Sequence, residues 1–144
     1  MKNETAVILV IVALVLTVFF LTGCVAPQTV TMSPEEAVNQ SITVEYEELY
    51  RNAEKYKGEI INITGEVIQV IPYTNTDRYY QLRVATSEWY SDIVLIEKYS
   101  GETLMDGDQV EIYGEYNGLY SYEAVFGQSV TVPSIKYVTG GLKQ

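Results

Sequence analysis

The 144 residues carry 19 acidic side chains against 9 basic ones and no histidine, a formal charge of -10. A surface this acidic repels phosphate backbones and anionic lipid heads, and the missing histidines remove the commonest general base and metal ligand. The length suits one domain with an N-terminal appendage, and a single cysteine excludes an intramolecular disulfide.

The chain opens on an apolar run. From Ala6 to Leu21 only Thr17 is polar, and Lys2 with the amino terminus supplies the positive charge ahead of it. That is the layout of a secretory signal. The run closes on Leu21, Thr22, Gly23 and Cys24, which together resemble the lipobox of prokaryotic lipoproteins. The resemblance implies cleavage before Cys24 and lipid attachment to its sulfur. Residues 1–23 are then a leader and residues 24–44 a lipid-anchored spacer. A thiolate can take a diacylglyceryl group as a thioether, and two acyl chains hold firmly where one binds only marginally. The alternative is an uncleaved membrane helix, since the run is about long enough to span a bilayer with help from its flanks. Both readings put the domain on the extracytoplasmic side of the cell membrane, because the first basic residue after the run is Arg51.

Residues 25–44 lack a sustained apolar period and contain Pro27 and Pro34. Within them Ser33, Pro34 and Glu36 form the start signal of a short helix with a capping box. The domain proper is expected over residues 45–144. It begins with an amphipathic helix over residues 45–57, whose Tyr46, Leu49, Tyr50, Ala53 and Tyr56 share one face before Gly58 stops it.

After Gly58 the period changes from 3.6 to 2. The stretch EIINITGEVIQVI alternates Ile61, Ile63, Gly65 and Val67, then shifts phase to Ile68 and Val70, which predicts a bent or bulged strand. YYQLRVAT sets Tyr80, Leu82 and Val84 inward and Tyr79, Gln81 and Arg83 outward, and DIVLIE reads as a strand covered on both faces. GETLMDGDQVEIYGEYNG predicts a turn or helical link, a tight turn at Asp106 to Asp108, and a strand with Val110, Ile112 and Gly114 inward. YSYEAVFG and SVTVPSIKYV complete the set, with Pro133 at an edge or interruption.

The fold class is therefore mainly β: a small five-stranded barrel preceded by an amphipathic helix, with a lipoprotein signal or membrane helix at the N-terminus. The order KYKGEIINITGEVIQV, YYQLRV, DIVLI, MDGDQVEIYGEYNG and VTVPSIKY resembles the OB-fold modules of exported prokaryotic proteins, of the tRNA-anticodon-binding-like type, over about residues 45 to 138. The resemblance implies a ligand face on strands 2 and 3 and at the rim loops. On that face the ligand-binding candidates are Tyr79, Gln81, Arg83, Tyr113, Tyr116 and Tyr120, drawn from a chain with 13 tyrosines.

Three functions compete. Single-stranded nucleic acid is the habit of the fold, but such binders need a cationic groove. Setting aside Lys2 and Glu4 leaves 8 basic against 18 acidic residues, and nucleic acid is disfavoured. A protein, peptide or glycan partner at the cell surface suits the tyrosines better. Enzymatic activity has no support: no catalytic motif occurs, no catalytic residue can be named, and the one thiol is committed to the anchor. Asp106 and Asp108 fall short of a calcium loop and read as a β-turn, so no metal or cofactor is expected. Of two glycosylation sequons, Asn39 lies in the spacer and Asn62 within a predicted strand.

Overall fold

The computed structural model describes residues 32–75 and 78–143. The leader, Cys24 and the spacer as far as residue 31 lie outside the described residues, and with them the lipidation expectation.

Helix α1 spans Pro34–Gln40 and begins as its sequence dictates. The Ser33 hydroxyl accepts from the Glu36 backbone N–H at 3.3 Å, and a Glu36 carboxylate oxygen accepts the Ser33 backbone N–H at 3.0 Å. Each half of this box satisfies a donor that the first helical turn leaves without a partner. Ala37 is the residue that α1 buries. The chain then adds Ile42 as an isolated parallel bridge to Ile61.

The expected single helix over residues 45–57 is two: α2, Tyr46–Arg51, and α3, Ala53–Tyr56. Asn52 breaks them apart with φ -119° and ψ 41°. Leu49 remains the buried anchor, and Tyr46, Ala53 and Tyr56 pack against the core around it. Glu48 ties the two pieces together by accepting from the Asn52 amide, Lys55 and the Tyr56 hydroxyl.

Five strands follow: β1 Ile60–Pro72, β2 Tyr80–Ala85, β3 Ile93–Tyr99, β4 Gln109–Glu123 and β5 Ser129–Leu142. They close into a barrel in the order β1-β2-β3-β5-β4. All pairs are antiparallel except β3 with β5. The barrel interior takes Ile61, Ile63, Val67, Leu82, Val84, Val94, Ile96, Val110, Ile112 and Ile135, the inward halves of period-2 patterns.

The phase shift in β1 is a bulge, with the register slipping between Val67 and Gln69. It lets β1 pair first with β4 and then with β2, the double service that closure requires. Close approach at the bend depends on Gly65, since a Cβ there would sit 2.2 Å from the Ala85 carbonyl oxygen.

One expectation is narrowed and another changes. Of the turn or helical link expected between β3 and β4, the structure shows the turn: the link has no helix, is irregular and buries Leu104. It ends in the anticipated turn, where the Asp108 carboxylate accepts from Met105 N–H at 2.7 Å and Gly107 adopts φ 97°. And YSYEAVFG is no separate strand. Its first half continues β4 to Glu123, while residues 124–128 turn the β4–β5 hairpin, closed by Ala124 N–H to Gln128 C=O at 2.8 Å. Pro133 sits in β5 one residue before pairing with β3 begins at Ser134.

Candidate ligand-binding face

One row of cross-strand neighbours crosses all five strands on the outside of the barrel. Gln69 of β1 pairs with Arg83 of β2, Arg83 with Leu95 of β3, Leu95 with Ser134 of β5, and Ser134 with Gly118 of β4. Leu95 and Ser134 are buried although they face outward, so something covers the middle of this row. Tyr120 and Tyr122, two and four residues beyond Gly118, continue the same face of β4.

The Tyr122 ring lies 4.2 Å from the Arg83 guanidinium. In register those residues are several rungs apart, so the far half of the β4–β5 ribbon bends toward β2 far enough for these two long side chains to meet. Two irregularities, at Tyr113/Gly114 and Tyr116/Gly118, accompany that bend. The result is a cradle with a β1–β2–β3 floor and a tyrosine wall. In the wall, Tyr120 stacks on Tyr122 with ring centres 6.4 Å apart and planes 27° from parallel. Tyr120 keeps its outward surface and is 40% exposed.

Polar contacts fix the floor. Arg83 donates through Nη1 to Gln69 Oε1 at 2.7 Å, while its Nε is buried without a partner. Glu97 accepts from Ser134 Oγ and from the Asn117 amide. The guanidinium is thus held in place by an aromatic face and an amide, both uncharged, and keeps its positive charge.

Next to the cradle a groove of about 470 Å³ runs between α2 and β5, lined by Tyr46, Tyr50, Arg51, Asp92 and Thr131. Tyr46 and Tyr50 stack at 6.1 Å. Burial raises the Tyr46 hydroxyl pKa, and Asp92, Tyr50 and Tyr122 raise it further. Arg51, the cation in this groove, is paired with Glu47 at 3.7 Å.

The structure divides the predicted site residues. Arg83 and Tyr120 belong to the cradle. Gln81 is half-buried beside the floor at a slip in β2–β3 register. Tyr79 is half-buried in the β1–β2 connection, where its carbonyl accepts from Tyr73 N–H. Tyr113 lies elsewhere on the barrel, opposite Asn62 and Thr139, and donates to Glu111 at 2.9 Å. Burial and that bond raise its pKa.

Tyr116 is a correction. It is fully buried, and its hydroxyl donates to the Leu49 carbonyl at 2.7 Å, joining the core to α2. Period 2 places Ile112, Gly114 and Tyr116 on the same inward side, so the alternation already contained this answer. Gln69 was missed. The bulge at Ile68 rotates it into line with Arg83, and the phase shift visible in the sequence was the available signal.

Among the described residues no three side chains are placed to hold a metal ion, and no helix is long and apolar enough to cross a membrane. The strand order and the bent β4–β5 ribbon define the class: an OB-like barrel with a tyrosine-walled outer face. No protein-family model matches the chain, and no curated protein matches it. Among solved structures the chain is similar to a mitochondrial single-stranded DNA binding protein from S. cerevisiae, at 16% identity and a TM-score of 0.38, over 60% of this chain and 95% of that one.

Proposed function

We infer that this protein is a non-catalytic binding module, lipid-anchored through Cys24 on the extracytoplasmic side of the membrane, whose partner is a protein, peptide or glycan. One observation carries the choice of ligand: Arg83, the cation at the centre of the cradle, is already held by Tyr122 and Gln69. What remains for a ligand is aromatic and amide surface beside carboxylates, which suits hydroxyl-bearing or peptide surfaces and opposes a polyphosphate.

A second reading, single-stranded nucleic acid, is favoured by a specific feature of the same face. A stacked tyrosine pair beside an arginine, on a ribbon bent toward strand 2, is a platform on which bases can stack.

The test has two parts. Capture from native membranes with cross-linking identifies the partner, and Tyr120→Ala with Tyr122→Ala should abolish it. Anisotropy of labelled single-stranded DNA should show no salt-dependent binding at micromolar protein; saturable binding that weakens steeply with salt would transfer the function to nucleic acid. For the anchor, Cys24→Ala should leave an unprocessed, unlipidated precursor. An unmodified Cys24 on a full-length wild-type chain, read by mass spectrometry, would reject the lipoprotein assignment.

A further inference from the structure

Two turns expose their apolar side chains almost completely: Trp89 at 86% in the β2–β3 turn, and Val125 and Phe126 at 98% and 92% in the β4–β5 turn. Each turn immediately precedes one of two strands that run parallel side by side, β3 and β5. Because β3 and β5 run parallel, both turns sit at the starting ends of those strands.

Neither turn is free to tuck its apolar groups away. Tyr90 is fixed by its hydroxyl to Glu66 at 3.0 Å and by its N–H to the Ser87 carbonyl at 3.2 Å, with a positive φ of 54°. The other turn is closed by Ala124 N–H to Gln128 C=O and Gly127 N–H to Ala124 C=O, both 2.8 Å. These bonds fix the backbone of the turn from which Val125 and Phe126 project. The exposure is built into the fold, at two protruding points rather than in a groove.

We propose that these turns rest in the interfacial region of the bilayer to which the chain is tethered, with Trp89 and Phe126 inserted among zwitterionic headgroups. The inference rests on the lipid-anchor reading of Cys24. Tryptophan and phenylalanine are favoured at this depth, where an apolar ring meets a wet boundary. Two convex tips suit a fluid surface, whereas a folded partner would need a matching pair of pockets. The tether permits it, because only seven residues lie between Cys24 and Met32, eight steps with a reach of at most about 30 Å. Charge selects the lipid. No lysine or arginine lies between Lys98 and Lys136, Glu88 and Asp92 flank the tryptophan, and Arg51, which shares a groove with Asp92 and Thr131, is paired with Glu47. Contact with zwitterionic lipid is therefore apolar and insensitive to salt, and anionic lipid weakens it by a repulsion that salt screens.

Trp89 is the only tryptophan, so its emission reports this contact without interference. The experiment uses the full lipidated chain on phosphatidylcholine vesicles, with and without brominated acyl chains, after flotation to isolate the vesicle-bound fraction. Trp89 emission should shift to the blue and lose most of its intensity to the bromines, and adding anionic lipid should reduce both effects. Val125→Asp with Phe126→Asp removes exposed groups that pack against no core, so the variant should float and keep its circular dichroism yet lose most of the quenching. A chain that floats with Trp89 unquenched overturns this inference and leaves the anchor standing. A blue shift without bromine quenching overturns it too, since another protein surface then covers the turn. A chain that does not float overturns the anchor and the inference together.

Discussion

Tyr116→Phe removes one oxygen and tests the assignment of that residue to the core. The hydroxyl is fully buried and donates to the Leu49 carbonyl at 2.7 Å, linking β4 to α2. Losing the bond and leaving a buried carbonyl short of a partner should destabilise the domain by about 1–3 kcal/mol. For a domain slightly above 100 residues this lowers Tm by about 4–12 °C. A second signature comes from pH. Burial first, then the Glu54 and Tyr46 charges, push the Tyr116 pKa from 10.0 to about 12. The fold thus prefers the neutral phenol, a stabilisation fully present below pH 10 and lost as pH rises through about 12. Two pH units correspond to about 2–3 kcal/mol, and phenylalanine has no such dependence. Wild type and variant should therefore differ at neutral pH and converge by about pH 12. Tyr99, whose pKa burial also raises, contributes an alkaline loss common to both. Urea unfolding followed by far-UV circular dichroism at pH 7, 9, 10.5 and 12 measures the gap. Parallel stability curves across that range would refute the burial of this phenol, and an unchanged Tm at pH 7 would refute the buried hydrogen bond.

Other consequences are as direct. Gly65→Ala forces a methyl to within 2.2 Å of the Ala85 carbonyl, backbone that cannot yield without opening β1 from β2, so the loss should be about 2–3 kcal/mol by denaturant midpoint. A double-mutant cycle of Arg83→Met and Tyr122→Ala should return a coupling of about 0.5–1 kcal/mol; a coupling near zero would mean the ribbon does not bend toward β2 in solution. Glu36 is held below the usual carboxylate pKa of 4.5 by its bonds to the Ser33 backbone and side chain. Its contribution to α1 is present above pH 4.5 and lost as pH falls through the lowered value, so amide-exchange protection in α1 should drop in acid ahead of protection in β4. Glu36→Ala should remove that pH dependence.

The glycan, peptide or protein reading and the membrane-resting turns make separable demands on one barrel. The first uses the outer face of β2 and the flank of β4; the second uses the tips of two turns. Variants at Tyr120 and Tyr122 should leave Trp89 quenching intact. Variants at Val125 and Phe126 should leave partner capture intact in detergent, where no bilayer orients the module.

Local signals in the sequence were sufficient for most of the fold. The switch from period 3.6 to period 2 after Gly58, the capping box at Ser33 and the turn at Asp106 to Asp108 all act through neighbours in the chain. Even the bulge in β1 was written as a phase shift between Val67 and Ile68. These features are determined within a few residues, by side-chain alternation and by backbone groups that need partners close at hand. The site was legible only in part. Arg83 was visible as an outward residue on β2, but its union with Tyr122 depends on the path of a ribbon 15 residues long in β4. Tyr113 and Tyr120 look alike in the sequence and end on different parts of the barrel, because a small slip in β4–β5 register at Gly114 and again at Gly118 reorients everything beyond it. Closing the sheet assigns each outward side chain its neighbours from other strands. Alternation selects inside from outside; which outside residues meet is decided by strand curvature and register, quantities summed over the whole barrel and held in no short segment of the chain.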